Sequence, residues 1–216
     1  MKIHMSSRTA GIGLLTFGIC LMTGPDSQAQ PPLQAPPMSI WADEIGNGFQ
    51  RGAQILTLEA GGSYGIAAFG GREEHHLALG SVSYGHMLTG AVGEDHWYRG
   101  NLEFRAELLG GEQFSPKETY LIGLTPHLRY DFATGTRWVP FVDAGAGVSA
   151  TGIGQPDLSG TFQFNVQGGI GVHRVLRRNL ALTLEARYLH ISSANIQEHN
   201  LGVNGVAGMM GLTWLF

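Results

Sequence analysis

The sequence predicts an all-β chain, an eight-stranded antiparallel transmembrane β-barrel of the bacterial outer membrane, and three observations predict it. Past residue 53 the chain breaks into eight segments, separated by clusters of Gly, Pro, Asn and Asp. Several of these segments alternate apolar and polar residues with a period of two, which is the signature of a strand. Beyond the N-terminal region no apolar run approaches the ~20 residues of a membrane helix, so any crossing has to be made by strands.

The segments are 54–69, 75–87, 99–111, 118–132, 138–152, 160–174, 180–192 and 203–216. In the third, Leu102, Phe104, Ala106 and Leu108 oppose Asn101, Glu103, Arg105 and Glu107. In the fourth, Tyr120, Ile122, Leu124, Leu128, Tyr130 and Phe132 oppose Thr125, His127, Arg129 and Asp131. The sixth sets Phe162, Phe164, Val166, Ile170 and Val172 against Gln163, Asn165 and Gln167. Alternation alone fits a soluble sandwich with its apolar face inward or a membrane barrel with that face outward. Strands long enough for a tilted crossing of ~9–11 residues favour the barrel. So do the mixed charges of the polar face, Glu103, Arg105, Glu107, Arg129, Asp131, Asp143, Glu185 and Arg187, which can pair inside a narrow lumen. An eight-stranded interior is filled by side chains, which argues against a porin-like channel. The connections 133–136 and 175–179 read as short inner turns, and 112–117, 153–159 and 193–202 as outer loops. Residues 88–98 break this pattern, being too long for a tidy inner turn.

Residues 1–29 read as a secretory signal peptide: Lys2 and Arg8 supply the charge, 10–22 the apolar core, and "SQAQ" a small-residue cut after Ala29. Residues 30–53 form a Pro-rich N-terminal lead, to which the sequence assigns only spacing, and 54–216 form the barrel. The single cysteine, Cys20, falls in the signal, so the processed chain is expected to carry no disulfide and no thiol nucleophile. A net charge of −4 without a basic stripe argues against nucleic acid as a partner.

The seventh segment ends in "YLHISSANIQEHN" (188–200). Alternation puts Leu180, Leu182, Leu184, Ala186, Tyr188, His190 and Ser192 on one face and Glu185 and Arg187 on the other. If the charges line the lumen, His190 and Ser192 point to lipid. An odd-numbered strand that starts at the periplasm ends at the outer surface, so the pair belongs at outer-leaflet height, with Asn204 of the last segment beside it. His at i and Ser at i+2 on one face stand about 6–7 Å apart at their bases, close enough for an imidazole–hydroxyl hydrogen bond. Such a base makes a neutral serine nucleophilic, given a group that orients the ring and donors for the oxyanion. A substrate reached from that face is a lipid, and the reaction class is ester hydrolysis in the outer leaflet. The bland alternative is rim polarity on a non-catalytic structural or surface-interaction barrel.

Two other stretches invite a binding function. In "GGREEHH" (70–76) adjacent histidines face opposite ways and rarely share one ion, so a solvated loop is expected. "GNGFQRG" (46–52) has glycines without a following helix, which does not make a phosphate cradle.

Residues 186–216, "ARYLHISSANIQEHNLGVNGVAGMMGLTWLF", resemble the PagL-type lipid A 3-O-deacylases, and the whole barrel does so more loosely. The terminal Phe216 resembles the aromatic by which outer-membrane barrels are recognised for assembly. The resemblance implies Ser192 as nucleophile, His190 as base and Asn200 as oxyanion donor. It implies lipid A (lipopolysaccharide) in the outer leaflet as substrate, with no metal or organic cofactor. Two positions depart from it: Ser193 stands where the family usually has Asn, and Asn204 stands at the acid position. Asn204 can still orient the ring, with Glu198 the less favoured substitute acid, but the missing carboxylate predicts slow or altered activity, and Asn204→Glu is expected to raise the rate if the carboxylate is limiting. The sequence leaves a homodimer open.

Overall fold

The computed structural model describes residues 45, 48–72, 75–196 and 200–216. Residues 1–29, read as a signal, and Glu198 lie outside them. Eight strands follow in chain order: β1 (Gln54–Gly65), β2 (His76–Met87), β3 (Gly100–Ser115), β4 (Thr119–Phe132), β5 (Trp138–Thr151), β6 (Phe162–Arg177), β7 (Leu180–Ser192) and β8 (Val203–Leu215). Each pairs antiparallel with the next, and β8 pairs with β1 from Ile55↔Leu215 to Gly65↔Gly205, closing the barrel. Closure removes the unpaired strand edges that lipid cannot satisfy.

The faces divide as the alternation predicts. Asn101, Glu103, Arg105 and Glu107 of β3, Thr125, His127, Arg129 and Asp131 of β4, and Gln163, Asn165 and Gln167 of β6 are all buried in the lumen. Phe104, Leu108, Ile122, Leu124, Leu128, Phe164, Val166 and Ile170 stand outward and exposed. The strand ends that differ most from the sequence reading are those of β3 and β1. β3 runs through Gly110 and Gly111 to Ser115, because the ladder to β2 continues past the glycines (Gly111↔Leu79, Gln113↔Leu77). β1 ends at Gly65, and residues 66–71 leave the ladder to cross the start of β8. The long connection 88–98 is ordered by ladder-like bonds, Leu88 N–H to Leu102 C=O at 2.8 Å and Val92 N–H to Gly100 C=O at 2.8 Å.

The lumen is layered. At the end with the short turns, the periplasmic side, Ile55, Met87, Val139, Val175, Ala181 and Leu215 form an apolar cluster. Ile45 and Phe49 of the lead insert into it, so the end of that segment does more than space. At the opposite end Leu77, Leu79, Leu109, Leu121, Leu189 and Ile191 form a second cluster, capped by Leu158 of the β5–β6 loop. Between them lies the charged layer. Arg129 bonds Asp143 at 3.0 Å and Glu185 at 2.8 Å, with its guanidinium over the Phe141 ring at 3.7 Å. Arg187 bonds Glu185 at 2.7 Å and Glu107 at 2.8 Å, and donates to Gln167 at 2.9 Å. Outward aromatics frame the apolar band: Trp97, Tyr98, Trp138 and Phe216 at the periplasmic end, Tyr64, Phe114, Tyr120 and Phe162 at the other.

A buried charge that loses its partner costs about 3–5 kcal/mol. Arg187→Met, which takes from Glu107 its closest cation and leaves Glu185 to Arg129, is therefore expected to lower the temperature at which the compact barrel is lost in heat-modifiable electrophoresis. Adding Glu107→Gln to that variant should recover part of the loss.

Candidate active site

The outward face of β7 carries Tyr188, His190 and Ser192 in consecutive i, i+2 positions. The register then supplies their neighbours: His190 lies opposite Asn204 on β8 and Val166 on β6, and Ser192 lies opposite Phe164. Directly opposed residues on one face have their Cβ atoms about 4.5–5.5 Å apart, so these contacts follow from strand pairing.

His190 Nε2 is 3.1 Å from Ser192 Oγ, and His190 Nδ1 is 2.7 Å from Asn204 Oδ1. Asn204 Oδ1 also accepts the Tyr188 hydroxyl at 2.6 Å, and Asn204 Nδ2 donates to the Ala68 carbonyl at 2.7 Å. With Oδ1 as the acceptor, the ring proton sits on Nδ1 and the Nε2 lone pair faces the serine, the tautomer a general base needs. Asn204 is 0% exposed, although its strand face looks outward, because residues 66–71 cover it. The same segment is tied to β8 through Ile66 N–H to Asn204 C=O at 2.9 Å.

After Ser192 the chain reverses in a tight turn, closed by Ile196 N–H to Ser193 C=O at 3.1 Å. Ala194 (φ 53°) and Asn195 (φ 60°) are both left-handed there, which suits asparagine and strains alanine by roughly 1–2 kcal/mol. Asn200 Oδ1 accepts the Ser193 N–H at 3.1 Å. That bond commits the Ser193 amide and leaves the Asn200 Nδ2 as the donor end of its side chain. Phe69 closes the other side, edge-on to His190 with ring centroids 6.3 Å apart, left-handed at φ 49° and 85% exposed. A groove of about 470 Å³ opens between Phe69, Val166, Tyr188, Ala194, Asn200 and Leu201, with Ser192 and His190 on its floor. Strained backbone on both rims is the kind of cost that functional sites retain.

The structure thus brings His190, Ser192 and Asn200 around one groove, with Asn204 buried behind His190. The sequence reading missed Tyr188 as a member, although it had placed that residue on the right face. It also missed Ala68 and Phe69, which arrive from a loop far away in sequence. The paired histidines point opposite ways, as expected, but a solvated loop does not describe them. His75 is buried against Gln113 Oε1 at 2.7 Å with Asp157 at 3.4 Å, because it directly precedes β2 on the inward side, in phase with the buried Leu77 and Leu79. His76 stacks on Tyr64 outside, with centroids 4.4 Å apart. No group of three or more His, Cys, Asp or Glu side chains placed to hold a metal ion occurs among the described residues.

The solved structure of the outer membrane enzyme PagL is similar, with a TM-score of 0.51 at 17% identity, covering 73% of this chain and 97% of that one. Neisserial surface protein A is similar too, with a TM-score of 0.55 at 16% identity, covering 76% of this chain and 97% of that one. At such identities the likeness establishes the fold. A comparison with curated proteins finds no matching sequence. The family model for lipid A 3-O-deacylase (PagL) matches residues 62–213, most of the barrel, and the chain belongs to that family.

Proposed function

We propose that this chain is an outer-membrane serine esterase that removes the 3-O-linked hydroxyacyl chain from lipid A in the outer leaflet. The observation that carries the reading is the Ser192–His190–Asn204 hydrogen-bonded line on the lipid face, beneath a groove at the height of the outer aromatics. A lumen filled by side chains offers no site inside, and an ester buried in lipid reaches Ser192 without leaving the membrane.

In this reading Ser192 Oγ attacks the ester carbonyl while His190 Nε2 takes its proton. The negative charge that develops on the carbonyl oxygen is met by the Asn200 Nδ2 group. The tetrahedral intermediate collapses, His190 returns the proton to the departing sugar oxygen, and the acyl chain remains esterified to Ser192. Water, deprotonated by the same imidazole, then releases the fatty acid. Asn204 and Tyr188 touch no reacting atom; they hold the imidazole. Val166, Phe164 and Phe69 present apolar surface along which the acyl chain lies. No step calls for a metal or organic cofactor.

Mass spectrometry of lipid A from expressing cells tests the proposal. The native chain should remove one hydroxyacyl group and Ser192→Ala should leave lipid A intact; unchanged lipid A in both cases points to the structural or surface-interaction barrel instead. Removing one oxyanion donor typically costs about 10²–10³ in turnover, so Asn200→Ala should fall in that range, measured as fatty acid released by the detergent-solubilised enzyme. Tyr188→Phe removes one of two donors to Asn204 Oδ1. A neutral hydrogen bond is worth about 0.5–1.5 kcal/mol, which corresponds to a loss of roughly 2- to 13-fold in kcat with KM unchanged.

A further inference from the structure

A carboxamide beside a catalytic imidazole is ambiguous. Turned one way it accepts the Nδ1 proton; turned the other way it offers its own N–H and selects the wrong tautomer. In a serine protease, replacing the acid by asparagine leaves the wrong tautomer and costs roughly 10⁴ in turnover. Neither of the nearer neighbours resolves this at position 204, since an imidazole nitrogen and a tyrosine hydroxyl can each donate or accept. The Ala68 carbonyl can only accept. It lies 2.7 Å from Asn204 Nδ2 and also takes the Gly71 N–H at 2.9 Å. Flipping the amide would set Oδ1 against that carbonyl oxygen with no proton between them, in a place with no exposure to water.

We propose that the Ala68 carbonyl, held by the β1–β2 connection, locks the orientation of Asn204 and so selects the productive tautomer of His190. This rests on the esterase reading for its consequence in turnover, and on geometry alone for the lock. Two results follow. The carboxamide at 204 is the side chain this loop requires, since a carboxylate there would face a carbonyl oxygen at hydrogen-bonding distance. The expectation that an acid at 204 raises the rate is therefore reversed. The loop also becomes a positioning element of the active site, and its closeness to β8 is why residue 71 is glycine: a Cβ there would lie 2.5 Å from the Gly202 carbonyl and 2.6 Å from Asn204 Nδ2.

The test is a double-mutant cycle on the full chain refolded in detergent, with heat-modifiable migration confirming a compact barrel for each variant. Asn204→Asp should lower kcat by at least about tenfold with KM little changed, given the size of tautomer effects. Gly71→Ala, which forces the loop away from β8, should lower kcat by itself. In that background Asn204→Asp should cost less than about threefold, a coupling expected of groups in one network. Nitrogen-15 spectra of the histidine rings, assigned with His190→Gln, should show the Nδ1–H form in the native chain. An increase in kcat for Asn204→Asp, an equal cost in both backgrounds, or an Nε2–H ring in the native chain overturns the lock. If Gly71→Ala yields no compact barrel, the ring spectrum and the single Asn204→Asp variant decide. Labelling of Ser192 by a fluorophosphonate, following the same pattern across the variants, separates the two ideas. Labelling without release of fatty acid from lipid A refutes the deacylase reading and leaves the lock standing.

Discussion

A sheet of eight strands closed on itself leaves an interior that side chains just fill. In this chain the described residues fill it in layers, an apolar cluster at each mouth and ion pairs between them. The groove that the described residues form around Ser192 and His190 opens on the outer wall instead. The wall is apolar over most of its height, since polar side chains there are tolerated chiefly near the interfaces, where their cost falls to about 0–1 kcal/mol. His190, Ser192 and Asn204 lie at such a height, level with the outer aromatics, and each is hydrogen-bonded to another member of the site.

The same closure supplies the rigidity the site needs. Along β7 the outward Tyr188, His190 and Ser192 alternate with the inward Arg187, Leu189 and Ile191. Arg187 is fixed by Glu107, Glu185 and Gln167, while Leu189 and Ile191 pack in the outer apolar cluster. Each outward residue is thus flanked by anchored ones, and the strand cannot rotate without breaking buried ion pairs. Catalytic groups have to be held to within about half an ångström, which strands backed by a packed core achieve better than loops.

What the sequence made legible was whatever depends on period two. The inward charges, the outward apolar rows, the eight segments and the outward aim of His190 and Ser192 all follow from alternation, and the structure bears out each of them. Asn204 was within reach as well, since it heads the next strand of the hairpin and register places it opposite His190. The strand end at Ser115 was not, because consecutive glycines read as a turn although they keep their ladder bonds. Tyr188 was visible as a residue but not as a partner: its role depends on a hydroxyl reaching a carboxamide, which no spacing encodes. The Ala68 contact left no trace at all. A main-chain carbonyl has no letter of its own, and the loop that brings it lies 136 positions away in sequence.

That last contact changes how the substitution at position 204 is understood. In the proposed esterase, asparagine at the acid position looks, taken alone, like decay, because it lacks the charge that would stabilise an imidazolium. Taken with the loop, it is one half of a matched pair. The carboxamide's two ends bond different partners, Oδ1 to the two donors of β7 and Nδ2 to the acceptor of the loop. A carboxylate could serve the first role only by giving up the second. Buried polar groups are stable when every lone pair and proton has a partner, and costly when one does not. By that criterion Asn204 satisfies its surroundings as an acid would not, and the identity of the residue follows from the backbone that covers it as much as from the histidine that it holds.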